Sequence, residues 1–278
     1  MIITVVPNLN KPRSDRLYRA VCDRLTEQGV TLRTVETATG LPTAATLMGA
    51  LEGSNAVVAV GGDGTIMHVA KAAAQVGCPV LGINGGRLGF LAGAEPQELD
   101  GLSVLLTGDC SVEERALLEV TVHTPAGDTT CLAMNEAVIA RGSMSRLVDV
   151  TVTAEGQELM TCRGDGIIVA TPTGSTAYSL SAGGPVIDPL VECVLVTPVC
   201  PHSLDSRSRV LPAEVTLTLH ATAAEGDSAF VTVDGEENIP LPADGWVTVH
   251  RAAIRARLIR LTDGSFYDGL RHKLFDRR

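Results

Sequence analysis

The five residues Ala56-Val57-Val58-Ala59-Val60 constrain the fold more than any others in the chain. An unbroken apolar run of that length reads as a strand buried on both faces, and such strands belong to parallel sheets covered by helices. The run stops on Gly61-Gly62-Asp63-Gly64-Thr65, and a helix is expected from Thr65 to Val76, with Ile66, Val69, Ala70 and Ala73 on one side. Neighbouring segments repeat the rhythm. Residues 2–6 form an apolar strand, and Leu17, Val21 and Leu25 recur at every fourth position between Ser14 and Gln28, with Gly29 as C-cap. Val30–Val35 reads as a strand, Leu47–Leu51 as a short helix and Pro79–Ile83 as another buried strand. This alternation predicts a Rossmann-like parallel α/β domain over residues 1–104.

The rhythm changes near Gly101–Gly108. Beyond it lie short alternating runs at Leu118–Val122, Leu147–Val152, Ile167–Ala170, Val215–Leu219 and Phe230–Val233. Turn signals separate them, among them Pro125-Ala126-Gly127-Asp128 and Asp234-Gly235. A β-rich, β-sandwich-like domain is therefore expected over residues 105–250. Arginines alternate with apolar residues between His250 and Arg260, as in a half-exposed strand. The tail from Ser265 carries Phe266, Leu270 and Leu274 at helical spacing, so residues 251–278 are expected to complete the first domain. The expected fold class is α/β plus all-β.

A length of 278 residues accommodates two such domains. The formal net charge of -10 argues against nucleic acid or an anionic membrane as partner. A small anionic ligand remains compatible with it, because a pocket can be locally positive or carry a divalent cation. Seven cysteines without a Cys-x-x-Cys pair read as reduced thiols of a cytoplasmic protein. The stretch Met1–Pro7 lacks the basic region and the apolar length of a signal peptide. Gly166–Ile187 is uncharged and long enough to span a bilayer, yet its Thr, Ser, Gly and Pro content argues against a lipid-spanning helix.

Asp63 stands where a buried strand ends and a helix begins, the place where parallel sheets bind phosphate ligands. A carboxylate there repels phosphate, but it suits a hydroxyl beside the phosphate whose proton it takes. The plainer alternative is that Asp63 caps the helix at Thr65. The chain has neither a Gly-Lys dipeptide nor Gly-x-Gly-x-x-Gly, which weighs against a P-loop enzyme and a dehydrogenase. A second stretch begins Gly164-Asp165-Gly166, continues through an apolar run, and turns at Thr171-Pro172-Thr173-Gly174-Ser175-Thr176-Ala177-Tyr178-Ser179-Leu180-Ser181. Its hydroxyls suit sugars and base edges and its tyrosine can stack on a purine, although the same residue types also make ordinary loops.

Together with Asn135-Glu136, these two stretches resemble the NAD kinase family over nearly the whole chain. The resemblance extends to Gly82-Ile83-Asn84-Gly85-Gly86-Arg87-Leu88-Gly89-Phe90-Leu91, to Glu114–Val120 and to Pro198–Leu204. Gly-Gly-Asp-Gly-Thr is shared with phosphofructokinases and diacylglycerol kinases, whereas Thr-Pro-Thr-Gly-Ser-Thr-Ala-Tyr is the diagnostic run. The resemblance implies transfer of the γ-phosphate of ATP to the 2′-hydroxyl of the adenosine ribose of NAD. Asp63 would be the general base, Gly61, Gly62 and Thr65 would lie along the phosphates, and Mg²⁺ would be the divalent cation. Implied NAD contacts are Asp63, Gly64, His68, Asn135, Glu136, Arg146, Arg163, Asp165, Thr176, Ala177, Tyr178, Ser179, Leu180, Ser181 and Glu236. Three positions depart from the family's pattern: Glu236 replaces a frequent Gln, Gly86 a larger residue, and Ser208 a common proline. The resemblance leaves ATP and polyphosphate open as donors, and homodimer and homotetramer open as assemblies. A sugar or lipid kinase would not need Tyr178 or Asn135-Glu136, and a nucleotide sensor without catalysis would not need Asp63.

Overall fold

A computed structural model describes residues 1–278 except 10–11, 38–39, 86–88, 143–145, 204–205, 224–227, 262–265 and 275–278. The chain divides into two units, Met1–Arg115 with Ile254–Arg278, and Ala116–Ala253.

The first unit begins with β1 (Ile2–Pro7), α1 (Pro12–Glu27), β2 (Thr31–Thr34), α2 (Ala44–Leu51), β3 (Ala56–Gly61), α3 (Asp63–Gln75) and β4 (Val80–Asn84). A 3-10 stretch (Pro96–Ser103) and α4 (Val104–Thr107) follow. The strands pair in parallel in the order β2-β1-β3-β4. Alternation along β3 explains why its run is apolar throughout. Ala56, Val58 and Val60 pack with Leu17, Val21 and Leu25 of α1, while Val57 and Ala59 point the other way, and every residue of β3 is buried. On that second face α3 lies so close that a Cβ on Gly82 of β4 would stand 2.6 Å from Ile66. Burying each valine or isoleucine side chain is worth about 1.5–3 kcal/mol, so the glycine that admits Ile66 trades one contact for another. The order 2-1-3-4 reverses direction between β1 and β3, and ligands of open parallel sheets bind at the carboxyl ends of strands beside such a reversal. Asp63 follows the carboxyl end of β3.

The chain enters the second unit within β5 (Ser111–Thr124). It continues through β6 (Gly127–Ala133), β7 (Glu136–Arg141), β8 (Val148–Ala154), β9 (Gln157–Gly164) and β10 (Gly166–Ala170). Next come a 3-10 turn (Thr173–Thr176) and α5 (Tyr178–Ser181). Then come β11 (Cys193–Val199), β12 (Arg209–Pro212), β13 (Leu217–Thr222), β14 (Ala229–Val233), β15 (Glu237–Leu241) and β16 (Trp246–Arg260). An antiparallel sheet of order β12-β11-β10-β7-β14-β15 faces a second group, in which β13 pairs with β16 and β8, β8 with β9, and β5 with β6. Their inner residues form one core, including Val120, Ile139, Val150, Ile167, Val196, Leu219, Val231 and Val247. Inward-facing apolar residues close the two sheets into a sandwich, while β10 and β11 are buried on both faces. The Asp234-Gly235 signal does form a hairpin, with φ of 50° at Asp234 and 71° at Gly235, as a type I′ turn between β14 and β15 requires.

The end of β16 returns to the first unit, where Leu258 pairs with Val80 of β4. The expected terminal helix is α6 (Phe266–Leu274), and its Phe266 ring lies 6.0 Å from that of Phe90. The boundaries fall at Arg115 and Ala253, against the expected 104 and 250. Gly166–Ile187 is broken into strand, turn and short helix. Among the described residues no helix is long and apolar enough to cross a membrane.

Candidate functional site

In the first unit the glycine turn holds Asp63. The expected helix start at Thr65 is corrected, because α3 begins at Asp63 itself and its N-cap is Gly62, with no side-chain cap bond. Asp63 is therefore not the helix cap. Its carboxylate turns aside and accepts two backbone hydrogen bonds, from the Phe90 N–H to Oδ2 at 2.9 Å and from the Leu91 N–H to Oδ1 at 3.2 Å. The two amides fix the orientation of the carboxylate. The first turn of a helix also favours negative charge. The chain makes room for this at Gly89, where a Cβ would stand 1.9 Å from Asp63 Oδ1.

The surrounding glycines serve different ends. A Cβ at Gly61 would meet Thr65 Oγ1 at 2.5 Å, so this position is closed by the chain's own threonine, whereas nothing lies within 4 Å of one at Gly64. Thr65 is buried and its hydroxyl accepts from Asn8 Nδ2 at 2.9 Å, which ties the end of β1 to the start of α3. His68 Nε2 donates to the Pro42 carbonyl at 2.7 Å. Gly86, Arg87 and Leu88 lie outside the described residues, as does Leu204.

In the second unit Asn135 and Glu136 lead into β7, gripped from two sides. The Asp234 carboxylate accepts from the N–H groups of Met134 (2.8 Å), Asn135 (2.8 Å) and Glu136 (3.0 Å). The diagnostic turn closes the other side. Thr171 donates its hydroxyl to Met134 O at 2.6 Å and its N–H to Asn135 O at 2.9 Å, and a Cβ on Gly174 would stand 2.1 Å from that same carbonyl. Glu136 is 8% exposed, and its Oε2 has no hydrogen-bond partner among the described residues. Burial first, and then the Asp234 charge, push its carboxyl up to about 7, against the opposing pull of the Tyr178 N–H.

Most hydroxyls of the diagnostic run bond within the protein and tie the run to its neighbours. Ser175 exchanges hydrogen bonds with the Ile187 backbone at 3.1 and 3.0 Å, Ser179 bonds Thr197 at 2.9 Å, and Thr176 donates to Thr173 O at 3.3 Å. Ala177 and Leu180 are half-buried and Ser181 is exposed, while Tyr178 stands 43% exposed beside Glu136. Tyr178 lines a cavity of about 260 Å³ with Val138, Ala140, Arg141, Gly142, Asp165 and Val199. Asp165 accepts from Arg141 Nε at 2.6 Å. Of the expected contacts, Tyr178 and Asp165 line this cavity. Arg146 is exposed, Arg163 is exposed and 3.7 Å from Asp149, and Glu236 is exposed on the β14–β15 turn. Sequence reasoning missed Arg141, Asp234, Gly89 and the Phe90 and Leu91 amides. Gly89, Phe90 and Leu91 lie in the resembling stretch Gly82–Leu91 without a role of their own, and the Asp234-Gly235 pair signals only a turn.

Comparison with known proteins gives consistent matches. Residues 3–107 match the family model of the ATP-NAD kinase N-terminal domain, and residues 134–261 that of the ATP-NAD kinase C-terminal domain. The NAD kinase of Moorella thermoacetica is 39% identical over 278 residues, covering 98% of this chain and 88% of that protein. The NAD kinase of Symbiobacterium thermophilum is 46% identical over 220 residues, covering 78% and 77%. Among solved structures, an NAD kinase from Archaeoglobus fulgidus in complex with ATP superimposes with a TM-score of 0.78 at 27% identity, covering 99% of this chain and 98% of that one. Yeast NADH kinase complexed with NADH gives 0.86 at 23% identity over 100% and 88%, a likeness of fold.

Proposed function

The chain belongs to the ATP-NAD kinase family, and from that premise we propose a division of labour in which Asp63 accepts the proton and the second unit grips the dinucleotide. The protein is an NAD kinase, transferring the γ-phosphate of ATP to the 2′-hydroxyl of the adenosine ribose of NAD. In the step we infer, the 2′-oxygen bonds to the γ-phosphorus as the bond to the β-bridging oxygen breaks. ADP leaves, and the hydroxyl proton passes to Asp63. A placed base contributes about 10²–10⁴-fold, with positioning and charge neutralisation supplying much of the rest. The observation that carries this reading is the Asp63 carboxylate held by the Phe90 and Leu91 amides at the carboxyl end of β3.

For the dinucleotide, the unpartnered Oε2 of Glu136 is an acceptor lacking a donor, and a ribose hydroxyl is a donor of the right kind. Asn135 beside it offers both a donor and an acceptor. The exposed Tyr178 ring supplies a stacking face, and the Arg141–Asp165 pair supplies the polar wall of the cavity. Thr176, Ala177, Ser179, Leu180 and Ser181 serve by shaping the turn that presents Tyr178. Among the described residues no group of three or more His, Cys, Asp or Glu is placed to hold a metal. On the resemblance, Mg²⁺ would be carried by nucleotide phosphates and water and would offset phosphate charge. We infer a cytoplasmic enzyme, a reading supported by seven cysteines without a disulfide, and a homodimer or homotetramer on the resemblance alone.

The test is formation of NADP⁺ from NAD⁺, ATP and Mg²⁺ by the purified protein, with polyphosphate as the alternative donor. Turnover with either donor supports the reading. Tight NAD⁺ binding without turnover on both would make the chain a nucleotide sensor.

A further inference from the structure

We propose that Arg260, at the far end of the chain from the glycine turn, is a positioning residue for Asp63. The proposal rests on Asp63 being the general base. Asp63 is oriented by two amides of one short segment, and the carbonyls of that segment are held by one side chain. Arg260 Nη2 donates to Phe90 O at 3.2 Å, and Nη1 donates to Ala92 O. The Phe90 carbonyl and the Leu91 N–H belong to the same peptide group. A single peptide therefore bridges the Arg260 guanidinium on its oxygen side and the Asp63 carboxylate, 3.2 Å away, on its nitrogen side.

Hydrogen bonds in such a chain polarise one another, and a charge at each end strengthens both. The guanidinium is itself anchored. Its Nη2 lies 3.1 Å from Glu113 Oε2, and Arg115 pairs with the same oxygen. Burial alone would push the Glu113 carboxyl up, but Arg260 and Arg115 outweigh it and hold that carboxyl below its usual value, so the anchor stays ionised. Two further contacts pin the segment. Leu261 N–H donates to Gly93 O at 3.0 Å, and the Phe266 ring lies 6.0 Å from that of Phe90. A rigid planar fork of donors suits the Phe90 and Ala92 carbonyls together, which a lysine cannot imitate. Arg260 touches no reacting atom; it acts by fixing the peptide that aims the base.

The experiment is a kinetic cycle of Arg260→Met and Asp63→Asn, singly and together, with Arg260→Lys and Glu113→Gln alongside. Misplacing a reacting group by about 1 Å can cost about 10²-fold. Arg260→Met is accordingly expected to lower kcat about 10- to 100-fold, with KM for NAD⁺ and ATP within about twofold of the parent. Arg260→Lys should recover little, and Glu113→Gln should give a smaller loss of the same kind, which keeps the test available if Arg260→Met fails to fold. In the Asp63→Asn background Arg260→Met should cost less than about twofold more, since the base it aims is gone. Amide hydrogen exchange at Phe90 and Leu91 should quicken about tenfold or more in Arg260→Met while the rest of the sheet stays protected. Unchanged kcat in Arg260→Met, or an equal fold loss with and without Asp63, would overturn the proposal. Full activity in Asp63→Asn alone would instead overturn the base reading beneath it.

Discussion

Replacing Glu136 by Gln should stabilise the protein and disable it, and both effects depend on pH. The carboxyl is 8% exposed, one oxygen has no partner, and its pKa stands near 7 against an ordinary 4.5. Between those values the folded chain holds a proton that the unfolded chain has lost. Stability contributed at this site is therefore complete below about pH 4.5 and falls as pH rises to about 7 and beyond. The cost of ionising Glu136 in the fold works out at about 1 kcal/mol at pH 5 and about 3 kcal/mol at pH 8. Gln keeps the shape of the neutral acid and has no charge to bury. Glu136→Gln should thus raise the unfolding free energy by about 3 kcal/mol at pH 8 and by about 1 kcal/mol or less at pH 5. Urea denaturation followed by circular dichroism at the two pH values measures the difference. The same variant should bind NAD⁺ more weakly, because an amide oxygen accepts a ribose hydroxyl less strongly than a carboxylate does. Equal stabilities of variant and parent at both pH values would refute the reasoning, since they would mean that the carboxyl ionises in the fold without penalty.

Other outcomes follow from single contacts. Gly89→Ala places a methyl where Asp63 Oδ1 sits, so kcat should fall about 10²-fold while thermal unfolding shows the fold retained. Asp234→Ala strips three charge-assisted bonds from Met134, Asn135 and Glu136 and should cost about 3–5 kcal/mol of stability, read by denaturant unfolding. It should also lower the apparent pKa of Glu136, because the neighbouring charge is gone. Tyr178→Ala removes a stacking face and should raise KM for NAD⁺ about tenfold with kcat little changed, as steady-state kinetics would report.

Periodicity made most of the fold legible. The apolar run of β3, the fourfold spacing in α1 and the alternating runs of the sandwich each obey a local rule that needs no knowledge of partners. α3 starts two residues before the expected Thr65: Asp63 looks like a cap in sequence, and only tertiary contact reveals that Phe90 and Leu91 donate to its oxygens instead. Asp63 lies 27 and 28 residues from those two, and Asp234 lies 98 to 100 residues from the amides it holds. The partners in both cases are backbone N–H groups, which every residue type carries and no composition distinguishes. Arg141 and Arg260 look like ordinary surface arginines in sequence, since nothing local tells which carboxylate or carbonyl they will meet. The hydroxyl-rich turn is legible as a nucleotide signature, yet Thr171, Ser175 and Ser179 are buried in bonds to Met134, Ile187 and Thr197. Their residue types suit a ligand, but burial commits them to shape.

The central claim is that Asp63 takes the ribose proton while binding of NAD⁺ belongs elsewhere in the chain. Its most direct test compares kcat, with NAD⁺, ATP and Mg²⁺, and the calorimetric Kd for NAD⁺ in the parent and in Asp63→Asn. The expected result is a fall in kcat of about 10²–10⁴-fold with Kd changed by less than about threefold. An unchanged kcat, or a loss confined to Kd, would contradict it.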